Sequence, residues 1–324
     1  MAAALAGEYR ILRLLAPGGM GDVFLAEQLH AGHPKVALKV LHRRFGDDEE
    51  VVARLQETAT VTRRLRHPNI VTTYECKRAP NGTVYVAMEW VEGASLADHL
   101  STYGRLPLGE VIDIVSQCCQ GLHAAHQLGI IHRNVAPKNI LLGRDSAGAL
   151  LAKILDFSLA KVKESSGHTA TGCVVGTPTY MSYEQASGLS SEKLDGRSDV
   201  YSLGLVTYAM LVGRPPFRAE TAVRCIMMHL LETPPSIRGA RPDVPLAIEA
   251  AVMKALEKDR GRRYPTALEF AAAVREAGKD LTPALDVLAD LDTPPHSAFP
   301  PPWRRRPSAE IESRATPPAA RYTR

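Results

Sequence analysis

The amino-acid sequence predicts an α+β protein of two lobes: a small antiparallel β lobe with one helix, then a larger, mainly helical lobe. Short, β-rich, turn-bounded runs crowd residues 9–91. From residue 92 the apolar residues take helical spacing in long amphipathic runs. A loop-rich stretch with short apolar strands, 130–183, interrupts those runs. With 324 residues, 45% hydrophobic and 23% charged, the chain can bury one large core or two moderate ones. A small lobe followed by a larger one implies a cleft between them, where ligands tend to bind.

Residues 1–8 read as an N-terminal extension, without the charged-then-apolar pattern of a signal peptide. In the β lobe, 9–91, strands are expected in "YRILRLLAP", "GDVFLAEQL" and "KVALKVL". The apolar spacing of "EEVVARLQETATVTRRLRH" predicts a helix over 49–67. "NIVTTYECKR" and "TVYVAMEWV" form a hairpin around the Pro-Asn-Gly turn at 80–82. The helical lobe, 92–277, carries amphipathic runs at 108–129, 197–213, 219–232 and 245–257. Residues 278–324 turn rich in Pro and Arg and poor in aliphatics, the composition of a disordered tail. Its "RRRPS" offers Ser308 as a phosphoacceptor, the plainer reading being a solvated charge run.

A net charge of +4 without a basic stripe speaks against a nucleic-acid binder. The five cysteines lack metal-ligand spacing, and Cys118 and Cys119 fall inside a helical run. Packing rather than disulfide formation is expected of them, in a reducing cytoplasm. No apolar run nears the roughly 18 residues of a membrane span, so no membrane insertion is expected.

Chemistry concentrates in short motifs. A Gly-rich turn, "APGGMGDVFLA" (16–26), precedes an apolar strand, "VALKVL", that contains Lys39. Glycines let backbone N–H groups approach phosphate oxygens without side-chain clash. A lysine in an apolar strand is costly unless its ammonium meets anions. There follow "MEWVEG" (88–93), "HRNVAPKN" (132–139), "DFS" (156–158), "GTPTYMSYEQ" (176–185) and "SDVYSLGLVTYAMLVGRPPF" (198–217). In this order the motifs resemble those of the serine/threonine protein kinases, and among them the bacterial eukaryotic-like ones, over roughly residues 9–275.

The resemblance implies the two-lobed protein-kinase fold and a nucleotide site built from Gly18, Gly21, Val23, Ala37, Lys39, Met88, Glu89, Val91 and Leu141. Asp156 and Asn139 would be the oxygen ligands for Mg²⁺, a hard cation. His132 and Phe157 match apolar-spine positions, Asp199 would accept backbone N–H bonds from the catalytic loop, and Glu184 would pair with Arg263. Arg133 would clasp a phosphate on the activation segment, where Thr169, Thr171 and Thr177 are candidate acceptors or ordinary loop hydroxyls.

Several positions depart from the family. Asn134 stands where the catalytic aspartate belongs, and an amide cannot accept the substrate proton at neutral pH. Loss of a general base costs about 10²–10⁴ in rate. Ala136 replaces the lysine that steadies the γ-phosphate, a loss on the order of 10²–10³. Thr58 falls at the position of the glutamate that holds Lys39, and Glu57, about 100° away around the helix, would aim elsewhere. Thr62 occupies an apolar position, Ala16 replaces the first glycine, Ser158 the glycine after Asp-Phe, and Tyr183 a proline. These changes favour a degenerate member: a pseudokinase that binds partners, with weak Mg²⁺-dependent ATP binding and active kinases of the same kind as partners. A slow or unusually configured active kinase is the alternative. A nucleotide-independent scaffold recognised through its tail is a third.

Overall fold

The computed structural model describes residues 7–30, 34–157 and 178–281. They belong to one compact unit, Met1–Leu288; a second, Ala289–Arg324, lies outside the described residues. So do Ser158, Thr169, Thr171, Thr177 and Ser308.

The small lobe is a five-stranded antiparallel sheet of β1 (Tyr9–Ala16), β2 (Gly21–Gln28), β3 (Lys35–Leu41), β4 (Thr73–Arg78) and β5 (Val84–Glu89), in the order β1-β2-β3-β5-β4. Central β3 is buried on both faces beyond Lys35, as its near-continuous aliphatic sequence requires. After a single turn, α1 (Arg43–Gly46), helix α2 (Glu49–Thr62) lays Val51, Val52, Leu55 and Ala59 onto the sheet. The Asp48 side chain caps α2 by accepting from the N–H groups of Glu50 and Val51.

α2 ends at Thr62, five residues short of the predicted His67. The hydroxyls of Thr58, Thr60 and Thr62 each donate to the carbonyl four residues back, at 2.7, 2.8 and 2.9 Å. Such back-bonding competes with the helix's own ladder, and Pro68 disfavours helical backbone at His67.

The larger lobe opens with β6 (Gly93–Ser95), which joins β7 (Ile140–Arg144) and β8 (Leu150–Ile154) in a three-stranded sheet. Helices α3 (Leu96–Tyr103) and α4 (Leu108–Gln127) precede that hairpin; α5 (Tyr183–Ala186), α6 (Gly196–Val212), α7 (Ala222–Leu231), α8 (Ile237–Ala240), α9 (Leu246–Ala255) and α10 (Ala267–Ala277) complete the lobe. α6 is buried from Ser198 to Leu211, starts on the Asp195 side-chain cap and stops at Gly213 with φ of 85°. α7 begins three residues later than the apolar run predicts, because the Thr221 hydroxyl caps it by accepting from Arg224 N–H. On α4, Cys118 and Cys119 are fully buried free thiols; burial pushes Cys118 up to about 12.

The lobes are stitched beside the cleft. Val71 N–H donates to Ile154 O at 2.9 Å, Ile154 N–H to Asn69 O at 2.9 Å, and Asn69 Nδ2 to Ala152 O at 2.9 Å. This seam places β8, and therefore Asp156, under the small lobe. No helix among the described residues is long and apolar enough to cross a membrane.

Candidate functional site

The Gly-rich turn links β1 to β2, and Gly18 and Gly21, though not Gly19, are sterically required by the fold itself. A Cβ on Gly18 would sit 2.5 Å from Gly21 O, and one on Gly21 would sit 2.3 Å from Val40 O. Three contacts pin the turn: His42 Nε2 donates to Gly18 O (2.9 Å), Arg44 to Gly19 O (2.8 Å) and His42 N–H to Met20 O (2.9 Å). Below it, Ala37, Met88 and Val91 are buried in one apolar cluster, with Val23, Leu141 and Leu155 packed against it. The nucleotide residues expected from sequence thus gather in one place. Glu89 contributes differently: its carboxylate receives Lys153 Nζ at 2.8 and 3.0 Å and Thr72 N–H at 3.1 Å, so only its backbone remains for a nucleotide.

Lys39 projects from β3 with its side chain 10% exposed, and its ammonium meets Asp156 Oδ2 at 3.0 Å. Burying this cation is tolerable because a carboxylate compensates it. No α2 glutamate does so. Thr58 turns its hydroxyl back to Arg54 O, and Glu57 is exposed, with no ion pair among the described residues.

The 132–139 loop follows α4, and Arg133 within it and Asp156 after β8 adopt left-handed backbone rare for side-chain-bearing residues, both with φ of 64°. Asp199, fully buried at the start of α6, holds the loop at Arg133. Its carboxylate accepts the N–H groups of His132 and Arg133, both at 2.8 Å, and His126 Nε2 at 2.8 Å. Burial alone would push its carboxyl up; the bonds from His126 and His132 overcome that and hold it below the usual carboxylate range.

His132 accepts Asn134 N–H on Nδ1 (3.1 Å) and donates from Nε2 to Leu155 O (2.7 Å), which fixes its tautomer. Burial keeps the ring neutral, and it stands edge-on to Phe157 with centroids 4.6 Å apart. Asn139 Nδ2 donates to Asn134 O at 2.8 Å, and Leu155 N–H donates to Asn139 O at 2.8 Å. Asn134 is therefore held by its backbone from both sides, while Ala136 is buried two residues on.

Beside this loop, Glu184 and Arg263 form a buried ion pair at 2.8 Å, reinforced by Ser198 Oγ on the same carboxylate. Arg133 places a guanidinium nitrogen 3.1 Å from Ser191 O, and its Nε is buried without a partner among the described residues. Tyr183 lies with its ring 6.0 Å from Lys258 Nζ. Sequence reasoning missed His126, Gln185, whose Nε2 donates to Arg133 O at 2.8 Å, and the Lys153–Glu89 pair. Gln185 ends the motif at 176–185 and His126 lies in the last turn of α4, before the 132–139 loop; Lys153 carries no local signal, because its partner lies 64 residues away.

The donor set fits a nucleotide with a divalent ion. Asn139 spends its Nδ2 on the loop and keeps Oδ1 as an acceptor near Asp156, and two such oxygens suit Mg²⁺. The aliphatic cluster suits a base, and Lys39 suits phosphate oxygens. When bound, the ion would neutralise charge on the phosphates.

The protein kinase domain profile matches residues 9–268. Serine/threonine-protein kinase PknB of Mycolicibacterium smegmatis is 39% identical over 305 residues, covering 92% of this chain and 47% of that protein. Pkn3 of Myxococcus xanthus is 38% identical over 282 residues, covering 85% and 51%. PrkC of Bacillus subtilis is 36% identical over 273 residues, covering 84% and 41%. The crystal structure of the Mycobacterium tuberculosis PknI kinase domain superposes with a TM-score of 0.65 at 30% identity, covering 83% of this chain and 96% of that one. The chain belongs to the protein kinase family, as a domain of the bacterial serine/threonine type with the two-lobed kinase fold. It spans about half the length of the curated relatives it matches.

Proposed function

We propose that this chain is a kinase-fold signalling protein that acts by holding other proteins and transfers phosphate poorly. The observation that carries the reading is Asn134: hydrogen bonds hold its backbone from both sides, yet the reacting group is an amide that cannot take a proton. With Ala136 the γ-phosphate also loses a cation. Mg·ATP binds weakly in the cleft, since Asp156 and Asn139 remain while Lys39 lacks its glutamate and leans on Asp156 instead. The partners are proteins, active kinases of the same type foremost, met in the cytoplasm; neither nucleic acid nor membrane insertion enters.

The test is Asn134→Asp. It gives the transition state back its base and raises transfer from labelled ATP on the order of 10²; a variant no faster than the parent speaks against the missing base as the cause. A second reading, a slow kinase without the standard base, draws on the intact Lys39–Asp156 pair and on the loose transition state of phosphoryl transfer, which rewards positioning over proton removal.

A further inference from the structure

Where α2 runs into β4, Arg63, Arg64 and Arg66 stand exposed within four residues, and none meets a carboxylate among the described residues. Some other exposed cations of the same lobe are matched, Arg10 by Glu27, Lys77 by Glu75 and Arg78 by Glu49, whereas Arg13, Lys35, Arg43 and Arg44 also meet no carboxylate among the described residues. The negative end of the α2 dipole accounts for a cation at Arg63, the residue that caps it, but not for Arg66 beyond the helix.

Arg66 instead lines an open recess of about 520 Å³, together with His67, Thr72, Tyr74, Glu89 and Lys153. That volume suits one ligand group with its flanks. Its single carboxylate, Glu89, is spent on Lys153 Nζ and Thr72 N–H. Burial and the nearby Lys153 hold the His67 ring below the usual range, and its Nδ1 accepts Asn69 N–H at 3.1 Å. The walls therefore carry a net positive charge, and the Arg66 guanidinium meets no carboxylate among the described residues. The recess opens at β4, an edge strand, whereas the Gly-rich turn joins β1 and β2 across the sheet. An edge strand admits an extended segment alongside it.

We propose that this recess is a docking site for a phosphorylated segment of a protein partner, with Arg66 on the phosphoryl group and Arg63 and Arg64 on its flank. A guanidinium fork pairs with a phosphoryl group through two charge-assisted hydrogen bonds. A recess of this size on a chain of net charge +4 suits one dianionic group rather than an extended polyanion. The proposal rests on the reading that this chain holds signalling partners, and it names the chemistry by which one is recognised.

Fluorescence anisotropy tests it with the full chain and a labelled peptide pool, degenerate except for a central phosphothreonine. The phosphorylated pool binds at least about tenfold more tightly than its unphosphorylated counterpart, a difference of one charge-assisted contact. Arg66→Ala abolishes that preference and Arg64→Ala reduces it. Arg218→Ala, an exposed arginine of the other lobe, and Lys39→Met, in the cleft, leave it intact. No phosphate preference, or a preference that survives Arg66→Ala, overturns the proposal. Loss in Lys39→Met overturns it too, by moving the phosphate into the cleft. Tighter Arg66-dependent binding of single-stranded RNA or phosphatidylserine vesicles replaces it with a general anion surface. Robust phosphotransfer by a chain whose recess works would refute the pseudokinase reading alone, so the two failures are distinguishable.

Discussion

Asp199 sits where no water reaches, yet three N–H donors keep its carboxyl ionised. Asp199→Ala strands the N–H groups of His132 and Arg133, at about 1–3 kcal/mol each. Urea denaturation is expected to show a loss of about 2–5 kcal/mol; a loss under 1 kcal/mol contradicts the role. Because its folded pKa is depressed, this contribution is present above the unfolded carboxyl value of about 3.9 and disappears as pH falls below it. At this scale the site was partly legible. Asn134, Ala136 and Thr58 announce their chemistry by type and place within motifs. The Lys39–Asp156 pair does not, because 117 residues separate the two and only the folded chain brings them together.

Helix α7 carries His229, fully buried and edge-on to Phe217 with centroids 4.9 Å apart. Burial, helped by Lys258, lowers its pKa to about 4. Between about pH 6.5 and 4 the unfolded chain takes up a proton there that the folded chain refuses, so stability falls as pH drops through that window. The contribution is about 3 kcal/mol, and His229→Asn flattens the pH dependence of urea unfolding there by about one proton. An unchanged slope contradicts it. Element identities were readable because strands and helices differ in apolar period; their ends were not. The periodic pattern of α2 runs on through Leu65, while threonine hydroxyls and Pro68 stop the helix at Thr62. Likewise the short β6 was not foreseen, since three residues make no pattern and only β7 makes it a strand.

Across the whole molecule, long-range polar ties hold the reaction cleft in shape while its reacting groups differ from the family's. Arg263 reaches Glu184 across 79 residues of sequence and also donates to Glu257 O and Arg197 O. Arg263→Met leaves a buried carboxylate without its cation and is expected to cost about 3–5 kcal/mol, seen as an earlier urea midpoint. A midpoint within error of the parent contradicts that tie. Together with Asp199, this pair anchors the start of α6 to the segments packed against it. The central claim is that a kinase framework persists here without efficient transfer. The most direct measurement is phosphoryl transfer from labelled ATP onto the chain itself and a generic basic substrate, by the parent, Lys39→Met and Asp156→Ala, purified identically. Equal background from all three is the predicted result. Label that appears with the parent and vanishes in both variants would contradict it and make this chain an enzyme.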